Sequence, residues 1–228
     1  MFTLKKMDAL EDNRDKAEIK PASDRKGQRK GKKPPKKITE TYLRNSALAY
    51  LQRFAASTVQ FRRVMDRKIH RSCLHHTEQD RAACAALLDA LVADLQRTGL
   101  LNDALFLQGF ITSMRRRGLS RKMMMVKLQE KGFSSSEAHA AIAGMQPDNI
   151  DPATMELAGA LRLARRKKIG PYSGLRLRAD ADDDESASTR RALAAMARAG
   201  FSFETSQKAI TLDHETAEEI IGKVQALA

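Results

Sequence analysis

The sequence predicts an all-α protein made of tandem three-helix repeats that stack on one another, and three observations support this prediction. From residue 41 onward, apolar residues recur with the roughly 3.6-residue period of amphipathic helices, and no segment shows the sustained alternation of a strand. Because Trp is absent and Tyr and Phe number only 3 and 8, the core must consist mainly of Leu, Ala, Met and Ile. The tripeptide Gly-Phe-Ser occurs at residues 132–134 and 200–202, and an Ala-Ile pair follows each occurrence.

Residues 1–37 are expected to form a disordered basic arm. They contain 13 Lys or Arg against 6 Asp or Glu, a net charge of +7, and residues 21–37 are almost without apolar side chains. Such a segment cannot bury enough apolar surface to offset the entropy lost on ordering. The N-terminus also lacks the apolar core of a secretory signal, and no stretch approaches the about 20 apolar residues of a membrane span. With two cysteines and no disulfide framework, a cytoplasmic protein without a membrane partner is expected.

The first repeat is predicted over residues 38–100. Its second helix should begin at a capping box formed by Ser57 and Gln60, its third helix should begin near residues 77–80, and Gly99 should end that helix. The predicted apolar stripes are Leu43, Ala47, Leu51 and Phe54, then Phe61, Val64, Met65 and Ile69, then Cys84, Leu87, Leu88, Leu91 and Leu95.

The second repeat is predicted over residues 101–146. Asn102 should cap its first helix, Gly118 should break it, and Ser120 should cap the second helix. Gly132 should close the second helix, and residues 134–137 have the pattern of a capping box. The predicted stripes are Leu107, Phe110, Ile111 and Met114, then Met124 and Leu128, then Ala138, Ala141, Ile142 and Met145.

The third repeat is predicted over residues 147–212, and a short helix over residues 213–228. The first helix of this repeat should end near residues 169–171, and a long loop with the acidic run 182–185 should follow it. The second helix should close at Gly200, and the third should span about residues 204–210. The predicted stripes are Leu157, Ala158, Leu161 and Ala164, then Leu193 and Met196, and in the last helix Ala217, Ile220, Ile221 and Val224.

Basic residues outnumber acidic ones by 41 to 28, a formal charge of +13, and part of the excess is clustered. One or two cations at a helix C-terminus complement its dipole, but runs of three and four exceed that need. We therefore interpret the clusters as a surface for acidic protein patches, phosphates or both, the alternative being an ordinary solvated basic surface. The candidate residues are Arg62, Arg63, Arg67 and Lys68, then Arg115, Arg116, Arg117, Arg121 and Lys122, then Arg165, Arg166, Lys167 and Lys168.

Catalytic and cofactor motifs are missing from the sequence. It contains no phosphate-binding loop, no nucleophile elbow and no paired metalloprotease histidines, so neither catalytic residues nor a cofactor are expected. His70, Cys73, His75, His76 and Cys84 have a spacing that zinc could use, but Cys84 lies on an apolar helix face, where a small thiol packs well. No metal site is therefore expected. The scattered tyrosines argue against sequence-specific reading of single strands.

Several segments resemble the RecX family in their order and spacing. They are residues 42–51, 57–68, 101–106, 117–120 and 128–133. These segments match an A-x-x-Y-L start, an L-x-D-x-x-F step, an R-x-x-G helix break and an L-x-x-K-G-F junction. The resemblance covers about residues 41–211 and is strongest over 100–145. The basic arm, the acidic run and a Leu at 107, where the family has Ala, depart from the family pattern.

The resemblance implies a curved array of helices and a regulator without catalytic activity. The array is expected to be elongated and the protein to be a monomer. It implies binding to RecA recombinase filaments on single-stranded DNA and restraint of their recombinase and ATPase activity. A second hypothesis stays open: the chain is a stand-alone nucleic-acid-binding protein, such as a transcription factor on single- or double-stranded DNA. Its three-helix units contain turns similar to those of helix-turn-helix proteins.

Overall fold

The computed structural model describes residues 34–173 and 182–226, with side chains in the second range from residue 186 onward. In these ranges the protein is all-helical, with ten α-helices and one short 3-10 turn at Gly170–Tyr172. The predicted basic arm lies outside the described residues except for positions 34–37. The helices are α1 Glu40–Leu51, α2 Thr58–His75, α3 Arg81–Arg97, α4 Asp103–Arg116, α5 Arg121–Glu130, α6 Ser135–Gly144, α7 Pro152–Lys167, α8 Asp182–Arg198, α9 Phe203–Thr211 and α10 His214–Ala226.

The predicted helix caps are present at four helix starts. Ser57, Asn102, Ser120 and Ser134 each accept a hydrogen bond from the backbone N–H three residues later. Ser134 also forms the full capping box with Glu137. These contacts are local, because a short polar side chain satisfies an amide that has no partner within the helix.

The full capping box predicted at Ser57 is not formed. The side-chain oxygen of Gln60 is buried without a hydrogen-bond partner, so only the Ser57 half of the motif is present. The carboxylate of Asp103, at the start of α4, instead accepts a hydrogen bond from the first amide of α2, that of Thr58, at 2.7 Å. A partner from another helix therefore serves this helix start, and a local pattern cannot reveal it.

Two further expectations were wrong. Phe54 was assigned to the apolar face of the first helix, but α1 ends at Leu51 and the Phe54 side chain is 56% exposed. The acidic run 182–185 was assigned to a loop, but it forms the first turn of α8. Negative charge is favourable there because the N-terminal end of a helix dipole is positive.

Three separate groups of helices enclose three main cores. The first core lies among α1, α2 and α3, the second among α4, α5 and α6, and the third among α7, α8, α9 and α10. Phe61 and Leu88 are central to the first, Ile111 and Leu128 to the second. This grouping is consistent with tandem three-helix repeats, although α10 also contributes Ile221 to the third core. The repeat boundaries stay a prediction.

Two equivalent junctions join successive groups. The hydroxyl of Ser57 donates a hydrogen bond to the carbonyl oxygen of Lys131 at 2.5 Å, and that of Ser120 donates to the carbonyl oxygen of Ala199 at 2.7 Å. Lys131 and Ala199 immediately precede the two Gly-Phe-Ser steps. Each serine caps the second helix of one group and is fully buried by the next group. The two junctions therefore use the same contact.

No membrane span is found among the helices of residues 34–173 and 182–226, since none of them is both long enough and apolar enough.

Candidate functional site

The end of α4 is pressed against the middle of α7 at Gly118. Gly118 has φ +66°, and a Cβ atom there would lie 2.6 Å from the carbonyl oxygen of Gly159 and from the backbone nitrogen of Leu163. Both the left-handed turn and the close backbone contact require glycine. This turn holds the second basic cluster, at the end of α4, against the helix that carries the third cluster.

Arg115 is held inside this junction. Its guanidinium donates to the carbonyl oxygen of Met145 at 2.6 Å and to that of Ile142 at 3.2 Å, so it caps the C-terminal end of α6. Its Nε is buried without a hydrogen-bond partner. Burial, and then the positive charge of Arg162, lower the pKa of Arg115. A sequence-predicted surface residue is therefore also part of the framework.

Arg162 is the functional candidate that the sequence reasoning missed. It lies on α7, its side chain is half-buried, and it makes no hydrogen bond or ion pair with any residue that the structure describes. Burial, and then the charge of Arg165, lower the pKa of Arg162. It stands between Leu161 and Leu163 rather than in a basic run, so only its three-residue spacing from Arg165 could have signalled it.

Arg115, Arg121 and Arg162 line a small pocket, here called the Arg162 pocket, between α4, α5, α6 and α7. Its cavity volume is about 30 Å³, room for roughly one or two water molecules. Glu156 lines it too, is half-buried, and accepts a hydrogen bond from the backbone N–H of Arg121 at 3.0 Å. Burial raises the pKa of Glu156, although the Arg121 amide opposes this shift. The other lining residues are Leu119, Met124, Ile142, Gln146, Pro152, Met155 and Gly159.

The neighbouring cations form what we call the α4–α7 basic surface. All are exposed, and their side chains form no ion pair or hydrogen bond with another described residue. Its members are Arg116, Arg117, Arg121, Lys122, Arg166, Lys167 and Lys168. The structure thus brings the second and third sequence-predicted clusters together, through Arg115 and Arg162.

Arg165 is already paired within the third group of helices. Its guanidinium forms an ion pair with Glu218 of α10, with Nη1 and Oε2 3.0 Å apart, and the hydroxyl of Tyr172 donates to the same carboxylate at 2.7 Å. Burial, and then Glu218, raise the pKa of Tyr172, while the Tyr172 hydrogen bond lowers the pKa of Glu218. Arg165 is therefore less available to a partner than Arg166.

The α2 cluster lies apart from the Arg162 pocket. Arg62 forms an ion pair with Asp89, and the Lys68 ammonium lies 5.3 Å from the centre of the Tyr42 ring. Arg63 donates to the carbonyl oxygen of Glu130 at 3.3 Å, at the end of α5. The start of α5 is at the pocket, and its 10 residues span about 15 Å.

Arg67, the fourth member of the α2 cluster, is exposed, and its side chain has no ion-pair or hydrogen-bond partner among the described residues. Arg67 is therefore the most available cation of this cluster.

The His and Cys residues of α2 and α3 do not gather into a metal site within the described ranges. No group of three or more metal-ligating side chains occurs there. His76 contacts the carbonyl oxygen of Pro35 at 2.9 Å, and Cys84 is buried in the first core. Burial, and then the neighbouring Cys73, raise the pKa of Cys84, which disfavours the thiolate that zinc requires.

Comparison with known proteins gives two relatives along most of the chain. The regulatory protein RecX of Myxococcus xanthus is 38% identical over 196 residues, which are 85% of this chain and 96% of that protein. The regulatory protein RecX of Agrobacterium fabrum is 29% identical over 181 residues, which are 79% of this chain and 88% of that protein. No family model matches the sequence, and no solved structure matches it significantly.

Proposed function

Because the chain belongs to the RecX family, we propose that it regulates the RecA recombinase. In this proposal it binds RecA filaments on single-stranded DNA and restrains their recombinase and ATPase activity. It acts through contacts alone, since the sequence offers no nucleophile, base and orienting group in a recognisable arrangement.

The structural observation that supports this proposal is the α4–α7 basic surface. Its seven cations are exposed and unpaired within the described residues, so a partner can engage them without first breaking internal ion pairs. DNA in a filament carries phosphates, and a basic surface attracts phosphates and any acidic patch of a protein alike. The predicted site is therefore the α4–α7 basic surface rather than the α2 cluster, in which Arg62 and Lys68 already have partners.

Co-sedimentation with cognate RecA filaments on single-stranded DNA, beside the same DNA without RecA, tests the proposal. The test variant replaces Arg116, Arg117 and Lys167 with Gln. The matched control replaces Arg53, Arg71 and Arg81, three exposed arginines in the α1 to α3 region, and removes the same charge.

We expect the wild-type protein to pellet mainly with the filaments. In a strand-exchange assay with the same proteins, about tenfold more of the test variant than of the wild type should be needed for the same inhibition. The control should stay close to wild type. Equal loss in both variants would assign the effect to net charge. Equal pelleting with bare DNA would support the second hypothesis, a stand-alone nucleic-acid-binding protein.

A further inference from the structure

Arg162 is a half-buried cation that lacks an anionic partner among the described residues. Removing a charge from water is unfavourable unless a counter-charge or hydrogen bonds replace the lost solvation. Other half-buried charges nearby have partners: Arg115 donates to two carbonyl oxygens at the end of α6, although its Nε has none, and Glu156 accepts from the first amide of α5. Arg162 is therefore the half-buried charge in this pocket whose guanidinium has no hydrogen-bond partner at all among the described residues.

The charge balance of the Arg162 pocket also favours an anion. Three arginines line it, Arg115, Arg121 and Arg162, against one acidic residue, Glu156. None of the three forms an ion pair with Glu156. The remaining walls are mostly apolar, and they weaken the solvent screening of any charge that enters.

We propose that the Arg162 pocket binds one carboxylate side chain, an Asp or Glu, presented by a protein partner. The forked guanidinium of Arg162 makes the direct bidentate contact. Arg115, which α4 carries and which is hydrogen-bonded to carbonyl oxygens at the end of α6, supplies a second positive charge behind it. The inference rests on the proposed function in one respect, since it makes the recombinase the protein that presents the carboxylate.

The dimensions of the pocket favour a carboxylate over a nucleic-acid phosphate. A cavity of about 30 Å³ admits a group as small as a planar carboxylate, whereas a phosphodiester brings two bulky sugars to the entrance. The carboxylate of Glu156 does not distinguish the two groups, because a carboxylate and a phosphodiester each carry one negative charge, so the preference rests on size. We therefore assign DNA phosphates, where they are contacted, to the exposed α4–α7 basic surface.

The first test uses fluorescence anisotropy of the full chain with a labelled oligoglutamate peptide and with an oligothymidine of equal charge. Arg162→Gln removes the proposed contact. Arg81→Gln is the control, because Arg81 is an exposed cation at the start of α3 with no ion pair in the described structure. Arg162→Lys keeps the charge but loses the fork.

We expect Arg162→Gln to weaken peptide binding about tenfold, as for one hydrogen-bonded charge contact, and Arg162→Lys to be intermediate. The control should change less than twofold, and oligothymidine binding should fall equally in Arg162→Gln and the control. Equal effects of Arg162→Gln and Arg81→Gln on the peptide would overturn the proposal. A larger loss with oligothymidine would identify a phosphate site instead.

Thermal unfolding provides a readout that does not depend on affinity. Arg162→Gln should keep or raise the Tm of the free protein, because it removes an unpaired half-buried charge. The peptide should raise the Tm of the wild type but not that of Arg162→Gln. A clear fall in the Tm of the free variant would show that Arg162 is structural and would count against the pocket.

Filament pelleting separates this inference from the proposed function. If Arg162→Gln pellets with RecA filaments as well as the wild type does, the pocket proposal fails while the proposed function stands. If the wild type binds the peptide through Arg162 but does not pellet with filaments, the proposed function fails and the carboxylate site stands.

Discussion

The hydroxyl of Ser120 donates a hydrogen bond to the carbonyl oxygen of Ala199 at 2.7 Å, across 79 residues of sequence. The hydroxyl oxygen of Ser120 also accepts a hydrogen bond from the backbone N–H of Met123 at 3.1 Å, so one buried atom caps a helix and joins two groups of helices. Ser57 does the same between Lys131 and Gln60. These serines therefore connect local structure to the packing of successive groups.

Replacement of Ser120 by Ala should destabilise the protein by about 1–3 kcal/mol. The change removes the cap of α5 and leaves the carbonyl of Ala199 without this donor. Ser202→Ala is the matched control, since Ser202 caps α9 but is exposed, and it should cost about 1 kcal/mol or less. Urea unfolding measures both, and equal losses would contradict a joining role for Ser120.

Replacement of Gly118 by Ala should destabilise the protein and disturb the α4–α7 basic surface. The new Cβ would meet backbone atoms of Gly159 and Leu163, which cannot move aside as a side chain can. Gly109→Ala in α4 is the control, because no atom lies within 4 Å of its added Cβ. That change should stabilise the helix by about 0.5–1 kcal/mol. Thermal unfolding compares the two, and changes of the same sign would refute this account.

Replacement of the neighbouring Arg115 and Arg116 at the end of α4 should have different effects on stability and on filament binding. Arg115→Gln should lower the free energy of unfolding by about 1–3 kcal/mol, since two α6 carbonyls lose their donor. Arg116→Gln should leave stability nearly unchanged and weaken filament binding, because Arg116 is exposed and unpaired. Urea unfolding and filament pelleting of both variants check this. Stability losses of the same size would argue against the structural role of Arg115.

The pH dependence of stability should reflect Glu156. Burial raises its pKa in the folded protein above the ordinary carboxyl value of 4.5, so the folded state favours its protonated form. This contribution is fully present below the unfolded pKa and is lost as pH rises through the folded pKa. The wild type should therefore lose stability relative to Glu156→Gln as pH rises from 4.5 through the raised pKa, and urea midpoints at several pH values measure this. A gain in the stability of the wild type relative to Glu156→Gln over that window would show the opposite sign.

Sequence reasoning predicted what is local in this fold. Apolar periodicity located the helices, and the caps at Asn102, Ser120 and Ser134 follow from short polar side chains that satisfy nearby amides. Phe54 was misplaced because periodicity does not mark where a helix stops. The acidic run was misplaced because a negative first turn of a helix and a solvated loop have the same composition.

The candidate site was only partly predictable. The basic runs at the ends of α4 and α7 are visible in the sequence, but the contact that joins them depends on Gly118 against the backbone of α7. Arg115 has carbonyl partners 27 and 30 residues away, so its framework role requires the tertiary structure. Arg162 is an isolated cation among leucines, and only the folded chain shows that it lacks a counter-charge.

At both junctions the serine of the earlier group donates and the carbonyl of the later group accepts. The middle group of helices offers its hydroxyl, that of Ser120, to the group that follows, and its Lys131 carbonyl accepts the hydroxyl of the group before it. The two ends of the middle group are thus complementary, because one end offers a hydroxyl donor and the other a carbonyl acceptor. A duplicated middle group would find a matching donor and a matching acceptor at its boundaries. The same hydrogen-bonded contact would therefore serve an array with one more group of helices.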